Sequence, residues 1–187
     1  QRQSSIRDRV QPEKMPVGRT VGKIKEHLTG IDRQFLKEGK LELWYDKEQL
    51  HYEEPGCLEA PNPWGQPGKP VLWKKSIDIR LAGNKSIKGF VAIREKAKLT
   101  EAGLALFRRN RLIIGSGDEG YRPSFIYGQP NSYRYGRVFG ELHLEGFGVS
   151  HTKDAFQWED LEEEFLKELK KQMDADPLPI LKMAEEY

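Results

Sequence analysis

Apolar residues recur at helical spacing near both ends of this sequence and alternate with polar ones in between. Ile24, Leu28, Ile31 and Phe35 predict a helix over about 20–38, with Thr20 as N-cap and Gly39 at the C′ position that ends a helix. Trp158, Leu161, Phe165 and Leu169 predict a second helix from about Trp158 to Met173. Its first turn is acidic and its last turns carry Lys167, Lys170 and Lys171, an order that complements the helix dipole. Glu163 and Lys167 form a favourable i,i+4 pair on its exposed side.

Between the helices the pattern is strand-like. Lys40–Tyr45 and Gln49–Tyr52 flank a tight turn at Asp46-Lys47-Glu48. Val71–Leu81 and Ile87–Glu95 flank Gly83-Asn84, and Ile77, Ile79 and Leu81 alternate with Asp78 and Arg80 as in a half-buried strand. Residues 103–115 (GLALFRRNRLIIG) read as a hairpin around Arg109-Asn110, and Arg137–Leu144 as one further strand. EAPNPWGQPGKP (59–70), with its four prolines, is expected to be a loop, as is the aromatic-rich stretch 117–136. Pro177 and Pro179 stop the second helix ahead of a short tail. Helix, antiparallel strands, then helix predicts an α+β fold, a mostly antiparallel sheet with packed helices. The expected divisions are a polar linker at 1–18, a domain at 19–157, and a C-terminal helix and tail at 158–187.

Composition narrows the function classes. The 187 residues carry 31 Lys+Arg against 29 Asp+Glu, a net charge of +2. That balance gives no electrostatic case for duplex nucleic acid as the primary partner. Cys57 is the only cysteine, so no internal disulfide forms, which fits a reducing compartment and an expected cytoplasmic location. No apolar run has the length of a membrane span. The polar opening QRQSSIRDRVQPEKMP, without an initiator Met, reads as an internal cut in a longer protein or as a trimmed end.

Several strings imitate catalytic motifs. Gly115-Ser116-Gly117-Asp118-Glu119-Gly120 spells G-x-G-x-x-G, but a dinucleotide site needs a helix opening at the third glycine, and Tyr121-Arg122-Pro123 opens none. Gly18 to Lys23 has three residues between its glycines instead of four and Ile24 after the lysine, so it is no P-loop. His143 and His151 are the closest histidine pair, His27 and His51 stand apart in sequence, and no spacing suits zinc. There is no G-x-S-x-G. Arg108, Arg109 and Arg111, interleaved with Phe107, Tyr121 and Tyr127, are candidates for phosphate contact, against the plainer reading of a hairpin turn kept soluble by arginines.

Three strings together carry a family likeness. GRTVGKIKEHLTGIDRQFL (18–36) resembles the helix that opens the second domain of microrchidia (MORC)-like ATPases. AGLALFRRNRLIIGSG (102–117) resembles that family's hairpin with an aromatic followed by R-N-x-R-L-I. RVFGELHLEGFGVSHTKDAFQWED (137–160) resembles its strand, loop and lysine segment, with an H-x-K-x-x-F pattern. They fall in the family's order between residues 18 and 160. The match is to the transducer domain of GHKL-superfamily ATPases, nearest to bacterial MORC-like or heat-shock-type ATP-binding proteins. The superfamily also holds gyrase B, the heat-shock chaperone, histidine kinases and MutL.

The resemblance implies a transducer fold shared with a small-subunit ribosomal protein, and a lysine that reaches the γ-phosphate of ATP bound by the upstream half. The matching position is Lys153. His151 and Asp154 would shape its loop without catalytic roles. The nucleotide-binding half's E-x-x-x-N and D-x-G-x-G motifs are missing, so the chain is expected to be no enzyme alone. ATP and Mg²⁺ would belong to the full-length protein. The implied partners are the upstream ATP-binding domain of the same protein and a possible homodimer mate, with DNA weakly supported and no membrane. The alternative is a protein- or nucleic-acid-binding module without any link to ATP.

Overall fold

Strict alternation along the long strands decides the architecture, because it gives one sheet two chemically different faces. The computed structural model describes residues 19–65, 68–115, 119–152 and 154–187. Helices α1 (Arg19–Ile31) and α2 (Arg33–Lys37) come first, then a hairpin of β1 (Leu43–Tyr45) and β2 (Glu48–Leu50). A second small hairpin pairs β3 (Glu59–Pro61) with β4 (Pro70–Leu72). The main strands β5 (Lys74–Leu81), β6 (Lys85–Ile93), β7 (Gly103–Arg108) and β8 (Arg111–Ile114) follow. Short helices α3 (Ser124–Tyr127) and α4 (Tyr133–Arg137) lead into β9 (Val138–Glu145). The chain continues through the hairpin of β10 (Gly148–Val149) and β11 (Phe156–Gln157) to α5 (Glu162–Asp174) and α6 (Ile180–Glu186). The fold is α+β, with mostly antiparallel sheets and packed helices.

The five-stranded sheet runs β5-β6-β9-β7-β8. All neighbours are antiparallel except β7 and β9, which pair in parallel from Gly103↔Phe139 to Phe107↔His143. One face carries Ile77, Ile79, Ile87, Val91, Leu104, Leu106, Leu142 and Leu144. Phe165, Leu169 and Met173 of α5, and Ile180, Leu181 and Met183 of α6, cover it in one continuous core. Each such side chain contributes about 1.5–3 kcal/mol when fully buried. At the β5 edge, Gln172 donates to the Asp78 carbonyl at 2.8 Å and accepts from its N–H at 3.2 Å, so a side chain occupies part of an open strand edge.

The other face is covered differently. Phe139, Glu141 and His143 of β9, with Ala105 and Phe107 of β7, alternate onto it. Arg33 of α2 lies over Phe107, 4.8 Å from the ring centre, and over Tyr52 at 5.3 Å. The apolar stripe predicted for the first helix is only partly covered, with Ile24, Ile31 and Phe35 half-buried. Thr29 and Arg33 are the buried residues, while Leu28 is 39 % exposed. Glu141, a carboxylate on the sheet face, receives Arg33, Gln34 and Lys37 of α2. The helix also breaks at Asp32, and Thr20 lies inside α1 instead of capping it. Gly39 holds φ +65 just past α2, as a C′ glycine should.

Other departures have local causes. The ends of the proline-rich 59–70 stretch form β3 and β4, because Ala60 is buried and its carbonyl accepts the Trp73 indole N–H at 3.1 Å. Pro61 pairs with Pro70, which an isolated two-strand ribbon tolerates. Buried Trp73 interrupts the expected 71–81 strand between β4 and β5. The 117–136 stretch, read as a loop, contains α3 and α4, with Ile126 and Tyr127 fully buried. The tail after Pro179 is helix α6.

Candidate functional site

Lys153, the residue carried over from the family likeness, lies outside the described residues, but its neighbours are described. β10 and β11 pair through Gly148↔Gln157 and Val149↔Phe156. The loop between them is tied by one carboxylate. Asp154 Oδ1 accepts from Ser150 Oγ at 2.7 Å and from Thr152 Oγ1 at 2.6 Å. Ser150 Oγ in turn accepts the N–H groups of Asp154 and Ala155 at 3.1 and 3.2 Å. Hydrogen bonds from Thr152 and Ser150 hold the Asp154 carboxyl below its ordinary pKa. Asp154 therefore organises the loop while ionised. His151 is exposed beside it.

The hairpin is anchored below by aromatic rings. Phe147 and Phe156 meet edge to face at 6.4 Å, and Trp158 stacks on Phe165 of α5 at 5.2 Å. Tyr121 stacks on Trp158 and donates its hydroxyl to Glu162 at 2.7 Å. Burial first, and then that carboxylate, push the Tyr121 phenol well above its ordinary value.

Arg108 ends β7, Arg111 opens β8, and Arg109 and Asn110 make the turn with φ of 50° and 65°. Arg109 and Arg111 are exposed and Arg108 is half-buried. Among the described residues none of the three forms an ion pair. Because β7 and β9 are parallel and in register, this turn and the chain leaving β9 for the 150–155 loop start from the same end of the sheet.

The glycines of the G-x-G-x-x-G string that are described have a packing role. A Cβ on Gly115 would lie 2.6 Å from the Leu104 carbonyl oxygen, and one on Gly120 would lie 2.5 Å from that of Ala102. The chain on either side of Ser116–Asp118 thus presses against the β7 segment, and no helix opens at Gly120. Gly22 and Lys23 of the P-loop imitation lie inside α1. His143 stacks on Phe107 at 5.0 Å, and burial lowers its pKa, so the ring is neutral at neutral pH. Among the described residues no three His, Cys, Asp or Glu side chains converge to hold a metal.

The sequence reading missed a cleft of about 660 Å³ lined by α1, residues 48–56 and the β7–β9 face. Glu141, 7 % exposed, is its inner anchor. Arg33 Nε lies 2.8 Å from Glu141 Oε1, though its N–H is not aimed as a hydrogen bond. Gln34 donates to Glu141 Oε2 at 2.7 Å, and Lys37 Nζ lies 3.3 Å away. Burial works against the Lys37 charge, but Glu54 and Glu141 outweigh it and raise its pKa. At the far end Arg94 donates to the Glu101 carboxylate at 2.5 Å and to its carbonyl at 3.2 Å. Lys25 pairs with Glu48 across the mouth. One signal was available: in VFGELHL a carboxylate stands on the same face as Phe139 and His143, where a two-sided buried strand should be apolar.

No protein-family model matches the chain, and no curated protein sequence matches it. No helix among the described residues is long and apolar enough to cross a membrane.

Proposed function

We propose that this chain is the transducer half of a GHKL-type ATPase, in which Lys153 contacts the terminal phosphate of ATP bound by an upstream half. The observation that carries the reading is the loop at 150–155. Thr152 and Asp154, which flank Lys153 in the sequence, belong to a short hairpin loop tied by the Asp154 carboxylate, and the hairpin is anchored to α5 through Trp158. A point charge on a flexible stem suits a contact made in one nucleotide state and released in the other. The family-like strings 102–117 and 137–160 fall on neighbouring parts of the sheet, which supports reading them together. The nucleotide and its magnesium would be held by the upstream half, and the ordering chemistry would be theirs. This chain's part is to position one ammonium group and to relay whether it is engaged, to a dimer mate or to a downstream segment.

The test is ATP hydrolysis by the protein extended upstream of Gln1, with Lys153 and with Lys153→Ala. The expected result is turnover in the first and its loss in the second, with the melting temperature unchanged. Equal turnover in both refutes the sensor role.

A second reading, a nucleic-acid-binding module, rests on the three arginines of the β7–β8 turn and their lack of carboxylate partners among the described residues. It predicts an affinity for single-stranded DNA that falls with salt and is lost in Arg108→Ala/Arg109→Ala/Arg111→Ala.

A further inference from the structure

The cleft beside α1 has one wall whose backbone lacks partners. Residues 51–56 run without a turn or bend, and exposure alternates at their start, with Leu50 buried, His51 exposed, Tyr52 half-buried and Glu53 exposed, until Glu54, also exposed, breaks the pattern. That alternation is the habit of a strand. Yet among the described residues no backbone N–H or C=O of residues 51–54 is hydrogen-bonded to another backbone group. A strand-like segment beside a cavity, with its ladder positions open, is a template for strand addition.

The charge of the cleft selects what can add. Six glutamates line it against three Lys and Arg side chains. Lys25, Arg33 and Arg94 are each already committed to one of those glutamates. Glu54 pairs with Lys37. Glu26 on α1 and Glu53 on the facing segment are exposed and have no cationic partner among the described residues. Both line the cleft. The volume lies within the range of about 300–1,000 Å³ typical of ligand sites.

We propose that this cleft docks an extended peptide of a partner protein that carries lysine or arginine at alternate positions. Its backbone pairs with residues 51–54 and its cations meet Glu26 and Glu53. Alternation follows from strand geometry, since every second side chain turns towards the same wall. The inference does not rest on phosphate sensing by Lys153, and its test contains no nucleotide.

The test is fluorescence anisotropy with a labelled peptide of alternating lysine and valine, titrated with the whole chain. Three comparisons accompany it: a glutamate–valine twin, the lysine peptide N-methylated at alternate residues, and the Glu26→Lys/Glu53→Lys protein. The lysine peptide is expected to bind and the glutamate twin not to. N-methylation and the double substitution are each expected to weaken binding at least about tenfold. The N-methylated peptide meets unaltered protein, so that arm does not depend on the folding of a variant. Failure of the lysine peptide to bind, or equal affinity for the N-methylated peptide, overturns the proposal. So does binding that appears only after residues 1–18 are removed, which would make the chain's own segment the occupant. A concentration-dependent dimer, seen by light scattering and competing with the peptide, would assign the cleft to a second copy and overturn it as well.

Discussion

Replacing Glu141 with alanine is the sharpest test of how α1 and α2 are held. The carboxylate is 7 % exposed and receives Arg33, Gln34 and Lys37. Without it Lys37 keeps Glu54, but Arg33, itself 9 % exposed, stays in the interface with no counter-charge. Breaking a buried pair in this way costs about 3–5 kcal/mol, because the remaining ion has lost its water and its partner together. Set against a total stability of about 5–15 kcal/mol, that is a large fraction. The double variant Glu141→Leu/Arg33→Met removes both charges and keeps volume against Phe107 and Tyr52. It is expected within about 1 kcal/mol of the parent, or above it. Urea unfolding followed by tryptophan fluorescence measures both, since Trp73 is fully buried in the core and reports its exposure. The slope should stay unchanged while the midpoint moves. A loss below about 1 kcal/mol in Glu141→Ala, or a double variant as unstable as the single one, refutes the charge-latch account.

Other perturbations have equally definite outcomes. Tyr127 is fully buried and Tyr121 half-buried, and burial raises both phenol pKa values above the ordinary 10.0. Raised values stabilise the fold fully below the unfolded pKa, and that contribution is lost as pH climbs above about 10. Tyrosinate absorbance from these two rings should therefore appear only with unfolding, and reversible titration of all tyrosines in the folded protein would contradict this. Gln172→Leu removes both hydrogen bonds to Asp78 on the β5 edge. It should cost about 1–2 kcal/mol and promote association at high concentration, read by urea midpoint and light scattering. Gly89 has φ +156, and a Cβ there would lie 1.9 Å from the Glu141 carbonyl oxygen. Gly89→Ala should force β6 and β9 apart at a cost of about 3 kcal/mol or more, and an unchanged melting temperature would refute that packing.

What the sequence made legible was decided by chain-local physics. Gly83-Asn84 and Arg109-Asn110 both adopt positive φ and place the two long hairpins where the turn chemistry puts them. The second half of the stripe predicted for α5 holds, with Phe165 and Leu169 buried, while Trp158 and Leu161 precede the helix, which opens at Glu162. Helices α3 and α4 were not visible because four and five residues complete hardly more than one turn, too short to show a period, even though Ile126 and Tyr127 end fully buried. Helix α6 hid in the same way behind Pro177 and Pro179. The parallel pairing of β7 with β9 follows from which strand edges remain after the hairpins have formed, and no residue announces it. The cleft was unreadable for a related reason. Its inner anchor joins Glu141 of β9 to Gln34 of α2, elements more than a hundred residues apart.

The two faces of the sheet make the two candidate sites mechanically unlike. The 150–155 loop stands on Phe147, Phe156 and Trp158, which continue into the dry core beneath α5, so a pull on that loop meets close-packed rings. Close packing transmits displacement because no void absorbs it. The stack of Trp158 on Phe165 therefore couples this hairpin stiffly to α5, as the proposed reporter role requires. On the opposite face the Lys25–Glu48 pair at the surface ties α1 beside the cleft, and such a pair can be exchanged for a ligand's charges at small net cost. Such an attachment suits reversible docking and would make a poor relay.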